Sequence, residues 1–473
     1  MNMKPDEFKR WIKGKRTAII GVGKSNIPLA KFLLSIGAVD ITLFDKSDGE
    51  KLKPALENFK GMDLKMKLGG DYLKHLHGFD VIFKTPGIRC DIPELVAERE
   101  RGAVVTSEME VFFDLCPAEI FAVTGSDGKT TTTTLIYKIL KEHGYRCWLG
   151  GNIGTPLLDK IEEIGETDKV VLELSSFQLH TMRKSPHTAV VTNISPNHLD
   201  VHKSMEEYIE AKKNIFLHQK DGDRLILNFD NEITREFLNE AKSRVLPFSR
   251  RNSLAEGAFL KNGKIVFSDS DRTSDIIGID EIILPGSHNI ENYLAATAAV
   301  FDYVEPESIR RVAKTFKGVE HRIEYVAEIN GVSFYNDSIG TSPTRTAASI
   351  GAFKQKVILI AGGYDKQIPY DAMGEIVAEK VKALVLTGPT GPKIKKALED
   401  AIENKGVGKD VKVITCERFD DTVREAYNNA EKGDIVLLSP ASASFDRFKD
   451  FEERGNRFKE LVKNLKAITE ALD

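Results

Sequence analysis

The segment that most restricts this chain is "TGSDGKTT" at 124–131, set between the apolar run "EIFAV" and the segment "TTTLIYKILKEHG". It predicts a buried strand ending at Val123, a tight turn through Gly125 and Gly128, and a helix that opens at Lys129. Such a helix aims its unpaired amides and positive dipole end at the loop, which makes the loop a phosphate cradle. Lys129 can then reach the outer phosphates of a nucleotide, and Thr130 can place a hydroxyl on magnesium. The full GxxxxGK[ST] pattern fails, because Val123 stands where its first glycine belongs. The bland alternative is an ordinary strand-to-helix turn, in which Gly and Asp are common; the Gly-Lys-Thr ending argues against it.

At 473 residues the chain is too long for one core and predicts about three domains. Lys plus Arg (67) nearly balance Asp plus Glu (71), so neither a nucleic-acid partner nor an anionic membrane surface is expected. A hydrophobic fraction of 41% and a charged fraction of 29% describe a soluble globular protein. No apolar run reaches membrane-spanning length, and the opening "MNMKPDEFKRWIKGKR" is charged where a signal peptide has an apolar core; the expectation is a cytoplasmic monomer. Cys90, Cys116, Cys147 and Cys416 show no CxxC spacing, which argues against a zinc site or a disulfide framework.

The periodicity predicts an α/β protein of three blocks with mostly parallel sheets: 1–107, Rossmann-like; 108–318, the central P-loop domain; and 319–473, again Rossmann-like. The first opens on "RTAIIGVGKSNIPLAKFLLSIGA", a near-GxGxxG fingerprint with Asn26 in place of the third glycine, followed by "ITLFDKS", a strand ending in Asp45. Alone, that fingerprint is too weak to define a nicotinamide site. In the second block "KVVLELSSFQL" and "TAVVTNISPNHLDVH" each run from an apolar strand into polar residues, and ligands of an open parallel sheet lie at the strands' carboxyl ends. Lys129, Glu173 and His198 are therefore expected to converge. "FLKNGKIVF" reads as a hairpin about Asn-Gly, and "LPGSHNIENYLAATAAV" as a helix with Asn289 and Asn292 in its first turn. In the third block "KVILIAGG", "VKALVLTG", "VKVITCE" and "DIVLLSPAS" read as strands, with Asp337, Lys366, Ser442 and Ser444 near strand ends. Polar clusters on three blocks point to a site assembled from several domains.

The ordered run "TGSDGKTT", "GGNIG", "ELSSFQL", "NHLDVH", "YIEAKKNIF", "GSHNIEN", "EHRIE", "NDSIGTSP" and "LLSPASASFDRFKDFEERGNRF" resembles the Mur ligases from Gly21 to Phe458. "ELSSFQL" and "SPASASFDRF" are similar to the branch that adds D-glutamate. The resemblance implies an ATP-dependent amide ligase in peptidoglycan precursor synthesis. ATP phosphorylates the carboxylate of UDP-N-acetylmuramoyl-L-alanine, and the amine of D-glutamate attacks the acyl phosphate.

The resemblance also implies roles for particular residues. Gly125, Ser126, Asp127, Gly128, Lys129, Thr130 and Thr131 form the ATP loop, with Asn289 and Asn292 at the adenine and Arg322 and Asp337 on the phosphate and ribose side. Thr130, Glu173, His198 and Lys212 support two Mg²⁺ ions, and Lys212 does so as a carbamate. Ser25, Asp45, Lys46, Gly87 and Asn152 hold the UDP substrate; Thr341, Lys366, Ser444, Phe445 and Phe451 surround D-glutamate. Plainer readings stay open: Lys212 as a solvated helix lysine, Glu173 as a capping or paired acid, His198 as a structural histidine, Arg322 as a surface ion pair, Asp45 as a turn cap, and Phe445 and Phe451 as core aromatics. The chain departs from many relatives at Ile339, where they carry lysine, and at Asp127, which brings a negative charge near the phosphates. A Mur-type or folylpolyglutamate-type ligase with another acceptor, a P-loop ATPase without ligase activity and a dinucleotide-binding sensor are the rival readings.

Overall fold

The computed structural model describes residues 3–470 apart from 24, 63, 197–201, 270–272, 285, 367 and the side chain of residue 372. It forms two compact units: Met1–Ile279 with Glu291–Val312, and Asp280–Ile290 with Ala313–Asp473.

The first unit holds two sheets. Strands β1 (Arg16–Ile20), β2 (Asp40–Asp45), β3 (Lys65–Leu68), β4 (Val81–Lys84) and β5 (Val104–Thr106) make a parallel sheet in the order β3-β2-β1-β4-β5. β1, β2 and β4 read as largely apolar runs because both faces are covered, whereas the edge strand β3 is exposed. Ile19 and Phe83 enter one core, while Ala18, Ile20 and Ile82 enter another on the opposite face. The second sheet comprises β6 (Glu119–Thr124), β7 (Cys147–Gly151), β8 (Lys169–Glu173), β9 (Thr188–Val191), β10 (Arg224–Asn228), β11 (Arg244–Ser249), β12 (Gly257–Lys261), β13 (Lys264–Ser268) and β14 (Thr273–Gly278). Its order is β14-β13-β12-β11-β10-β9-β6-β8-β7, with β12, β13 and β14 antiparallel. The chain leaves β6 toward β7 and β8 on one side and returns to β9 on the other, so the topological switch point lies beside β6, where such sheets bind ligands.

The Asn-Gly hairpin is present. Lys261 pairs with Lys264, and Asn262 (φ 49°) with Gly263 (φ 73°) supplies the two positive φ angles that a two-residue turn of matching twist requires. In the second unit β15 (Glu324–Ile329), β16 (Val332–Asn336), β17 (Val357–Ala361), β18 (Val381–Thr387), β19 (Lys412–Cys416) and β20 (Ile435–Leu438) are ordered β15-β16-β20-β17-β18-β19, and only β15 runs antiparallel to its neighbour. All four apolar runs expected in this block are strands, at β17 to β20. The hairpin β15–β16 was not expected. Among the described residues no helix is long and apolar enough to cross a membrane.

One buried acid sets a pH dependence. Glu108 opens the helix Glu108–Leu115, its Oε1 has no hydrogen-bond partner among the described residues, and burial pushes its carboxyl from 4.5 up to about 7. A carboxyl with a raised folded pKa favours the folded chain below its unfolded value and loses that contribution as pH rises through the folded one. Stability should therefore fall between about pH 4.5 and 7, by on the order of 3 kcal/mol. Glu108→Gln is expected to remove most of that fall, unfolding at a higher temperature than the parent at about pH 8 and at nearly the same temperature at about pH 4.5. Thermal midpoints across this range check it.

Candidate active site

The loop after β6 is built for a close backbone approach. A Cβ on Gly125 (φ 145°) would lie 2.0 Å from Thr192 Oγ1, and one on Gly128 (φ 78°) would lie 2.4 Å from Asn292 Oδ1. The loop is held from β9's end: Ser126 N donates to Asn193 O (2.8 Å), Asp127 N donates to Asn193 Oδ1 (3.0 Å), and Thr192 Oγ1 donates to Asp127 O (2.5 Å). Ser126 Oγ meets Ser195 O at 2.9 Å and the Tyr208 hydroxyl at 3.0 Å. Asp127 is exposed, while its charge still reaches Lys212.

Gly128 begins the helix Lys129–His143 in a left-handed conformation with no side chain capping it, so this end faces the loop. Its threonines are poor helix formers, yet Thr133 Oγ1 and Thr134 Oγ1 donate back to the carbonyls of Lys129 (2.8 Å) and Thr130 (2.7 Å) and so satisfy themselves within the helix. Lys129 Nζ donates to Gly125 O and Ser126 O, both at 2.9 Å, and is thus held inside the loop. Gly125→Ala should weaken ADP binding by about tenfold or more while the far sheets stay folded, since the new methyl must displace Thr192. Titration calorimetry of the purified variant checks this.

Beside the loop, Val123 of β6 pairs with Glu173 at the end of β8. Glu173 is buried; its Oε1 accepts from Asn152 Nδ2 at 2.8 Å, and its Oε2 has no hydrogen-bond partner among the described residues. An ionised oxygen left so is costly unless a cation satisfies it. Lys212, on the helix Met205–Lys213, is only 2% exposed and donates to Thr124 Oγ1 (3.2 Å) and Gly125 O (2.9 Å). It is not a solvated lysine. Burial, with the Lys129 cation pushing the same way, holds its amine well below the usual lysine value, while Glu173 and Asp127 oppose. Lys129, Glu173 and Lys212 thus share one electrostatic neighbourhood. His198 lies outside the described residues.

In the first sheet Asp45 accepts from Val22 N and Ser47 N, each at 2.8 Å, so it fixes the turn after β1 as a cap would. Asn26 explains the missing glycine: its Nδ2 donates to Ile20 O and Gly21 O, both at 2.9 Å, and stitches the helix to the strand end. Ser25 precedes that helix, Lys46 is exposed, and Gly87 is exposed in the loop after β4. Asn152, expected at the substrate, also steadies Glu173.

The helix Ser287–Val300 starts too early for both asparagines to share its first turn: Asn289 lies in the first turn, but Asn292, the sixth residue, lies in the second, where it accepts from Thr132 Oγ1 (3.2 Å) beneath Gly128. In the second unit Asp337 is buried at the end of β16 and accepts from Ser349 Oγ and Ser439 Oγ, both at 2.7 Å. Burial raises its carboxyl, while those hydroxyls and the Arg322 cation pull it back. Ser444 is buried, Thr341 and Ile339 are half-buried, and Lys366 is exposed. Phe445 is 63% exposed, so it is not a core aromatic, and it meets Tyr364 edge-on. Phe451 is half-buried, edge-on to His321.

Sequence reasoning missed Thr192, Asn193 and Tyr208, which wrap the P-loop, and Arg454. Arg454 is 2% exposed and donates to Ser338 Oγ and to the carbonyls of Ser338, Ser442 and Ala443 at 2.9–3.0 Å. The signal was an arginine beside Gly455, where a Cβ would lie 2.2 Å from His321 Nδ1.

A P-loop at a switch point, with a lysine inside it and a buried acid alongside, defines a nucleotide-using α/β enzyme. Residues 123–300 match the Mur ligase middle domain, and residues 321–442 match the Mur ligase, glutamate ligase domain. A UDP-N-acetylmuramoylalanine--D-glutamate ligase of Acetivibrio thermocellus is 64% identical over 467 residues, 99% of this chain and 100% of that protein. A protein of the same name from Ruminiclostridium cellulolyticum is 59% identical over 466 residues, 98% of this chain and all of that one. The crystal structure of MurF ligase from Thermotoga maritima in complex with ADP shares the fold, with a TM-score of 0.54 at 18% identity and 97% of each chain covered. The chain belongs to the Mur ligase family.

Proposed function

We propose that this chain joins D-glutamate to UDP-N-acetylmuramoyl-L-alanine at the expense of ATP, in the synthesis of peptidoglycan precursors. Identity of 64% along the whole length to a D-glutamate ligase carries the reading, and the P-loop geometry supports it. A carboxylate is a poor electrophile at neutral pH, so the reaction first gives it a leaving group. One carboxylate oxygen attacks the γ-phosphorus and ADP departs; the D-glutamate amine then attacks the acyl carbon, loses a proton, and phosphate departs. Two anions must approach, and Lys129 supplies the cation from inside the loop.

The donor set fits a hard divalent cation. Glu173 Oε2 is buried and without a hydrogen-bond partner among the described residues. The remaining positions around such a cation suit hydroxyl, water and phosphate oxygens beside the carboxylate, as Mg²⁺ prefers. Thr130, Glu173, His198 and a carbamylated Lys212 would hold two Mg²⁺ ions, whose chemistry is to neutralise phosphate and carboxylate charge. The depressed basicity of Lys212 supports the carbamate, since only a neutral amine adds CO₂.

Residues 1–107, with Ser25, Asp45, Lys46 and Gly87, together with Asn152, are assigned to the UDP substrate; 108–318 to ATP, with Asn289 and Asn292 toward the base; and 319–473 to D-glutamate, through Thr341, Lys366, Ser444, Phe445 and Phe451. Arg322 and Asp337 are assigned to the nucleotide. Phosphate release should require UDP-N-acetylmuramoyl-L-alanine and D-glutamate together, with D-alanine and D-glutamine poor substitutes. Equal release without the acceptor would make the chain an ATPase, and release with another amino acid would move it to another branch.

A further inference from the structure

The helix Met205–Lys213 carries more than Lys212. Its first turn holds Glu207. Arg89, two residues past Gly87 in the loop that leaves β4, takes both oxygens of that carboxylate: Nη1 donates to Oε2 at 3.0 Å and Nη2 to Oε1 at 2.6 Å. Asp91 braces the same guanidinium, accepting from Nε at 2.9 Å and Nη2 at 3.0 Å. Lys203 closes the ring, with its Nζ on Asp91 Oδ2 and its amide on Glu207 Oε2, both at 2.6 Å. The side chains of Arg89 and Glu207 are only 23% and 20% exposed, and a fork-to-fork pair fixes angle as well as distance. This sets it apart from the exposed ion pairs that contribute little.

The same helix is tied to the P-loop at two points. Tyr208, the residue after Glu207, meets Ser126 Oγ at 3.0 Å, and Lys212 one turn later donates to Thr124 Oγ1 and Gly125 O. A continuous set of contacts therefore runs from the β4 loop through Arg89, Glu207 and the helix to the phosphate cradle.

We propose that Arg89 and Glu207 are a positioning pair that sets this helix against the β4 loop, so that Tyr208 and Lys212 meet the P-loop in register with the substrate held after β4. Neither touches a reacting atom. The proposal rests on the assignment of the UDP substrate to that loop, while the contacts themselves do not. Small misplacements are costly in phosphoryl transfer, where a shift of about 1 Å can lower rates by on the order of 10².

A double-mutant cycle tests it. Arg89→Ala and Glu207→Ala should each lower kcat by about tenfold, leave the KM for ATP within about twofold, and show no further loss when combined, because each acts through the other. Arg89→Lys, which keeps the charge and loses the fork, should fall between and covers the case in which an alanine variant does not fold. Hydrogen exchange in the unliganded protein gives a readout independent of ligation: amides of 205–213 should exchange faster in both single variants, and equally fast in the double. A kcat within about twofold of the parent, losses that multiply in the double variant, or unchanged exchange over 205–213 would each overturn the pairing. If the parent chain itself fails to join D-glutamate to the UDP substrate, the functional reading falls instead, and exchange alone decides the pair.

Discussion

Lys129→Ala lowers turnover with saturating ATP, UDP-N-acetylmuramoyl-L-alanine and D-glutamate by on the order of 10² or more, and changes the melting temperature little. The two parts of this expectation come from one observation. Lys129 Nζ is already held by Gly125 O and Ser126 O, so its charge is in place before the phosphates arrive and needs no reorganisation when charge moves in the transition state. Gly125 O keeps its hydrogen bond from Lys212 Nζ in the variant, and the half-buried Lys129 side chain fills no core space. Steady-state phosphate release on the purified variant checks the loss. Turnover close to the parent's would remove the loop from the chemistry.

Lys212→Ala should lose activity to a similar extent and regain part of it when acetate or formate is supplied at high concentration. In the carbamate proposal the missing group is a carboxylate, and a small anion can enter the space that the shortened side chain vacates. Lys212→Arg should stay inactive, since a guanidinium in that place neither adds CO₂ nor tolerates a cation close by. The structure makes the test sharp. A lysine amine 2% exposed, with its basicity lowered by burial and by Lys129, has no role on the surface to confuse the outcome. Full activity in Lys212→Ala would end the proposal, as would rescue by chloride equal to that by formate.

The parts of this molecule that the sequence made legible are those in which one residue type has one physical use. Gly125 and Gly128 could be read because only glycine fits where Thr192 and Asn292 press against the backbone. The Asn262-Gly263 turn was legible for the same reason. The strands β17, β18 and β20 were visible as apolar runs because they are covered on both faces. The hairpin β15–β16 was not: β15 is half-exposed along most of its length and gives no apolar run to find.

At the site, lysine, acid and loop were legible, but their supports were not. Thr192, Asn193 and Tyr208 have no distinctive spacing, and their value comes from lying across a switch point that only the strand order β9-β6-β8 creates. From residue type and position alone Lys212 reads as a solvated helix lysine beside Lys213; in the structure it is Lys213 that makes the helix ion pairs, with Glu210 and Glu240 at 2.8 and 2.7 Å. One helix carries both kinds of lysine. Which of them is buried depends on the helix's rotation against β6, and the residue types alone leave that open. Asn26 taught the reverse lesson: a departure from a glycine pattern turned out to be a substitute fastening.

The buried Arg454 bears on when this protein becomes competent during synthesis. It sits on the helix Phe451–Glu470, which leaves the ribosome after every strand of its sheet, and its guanidinium ties the turn after β16 to the turn after β20 through Ser338, Ser442 and Ala443. The six-stranded sheet can assemble beforehand, but those two turns lack their common clasp until this helix docks. A chain released early would own a nearly whole scaffold with slack turns at the place assigned to the incoming amino acid. Removal of the helix Phe451–Glu470 should therefore loosen the turns after β16 and β20 together, which faster amide exchange at Ser338, Ser442 and Ala443 would show.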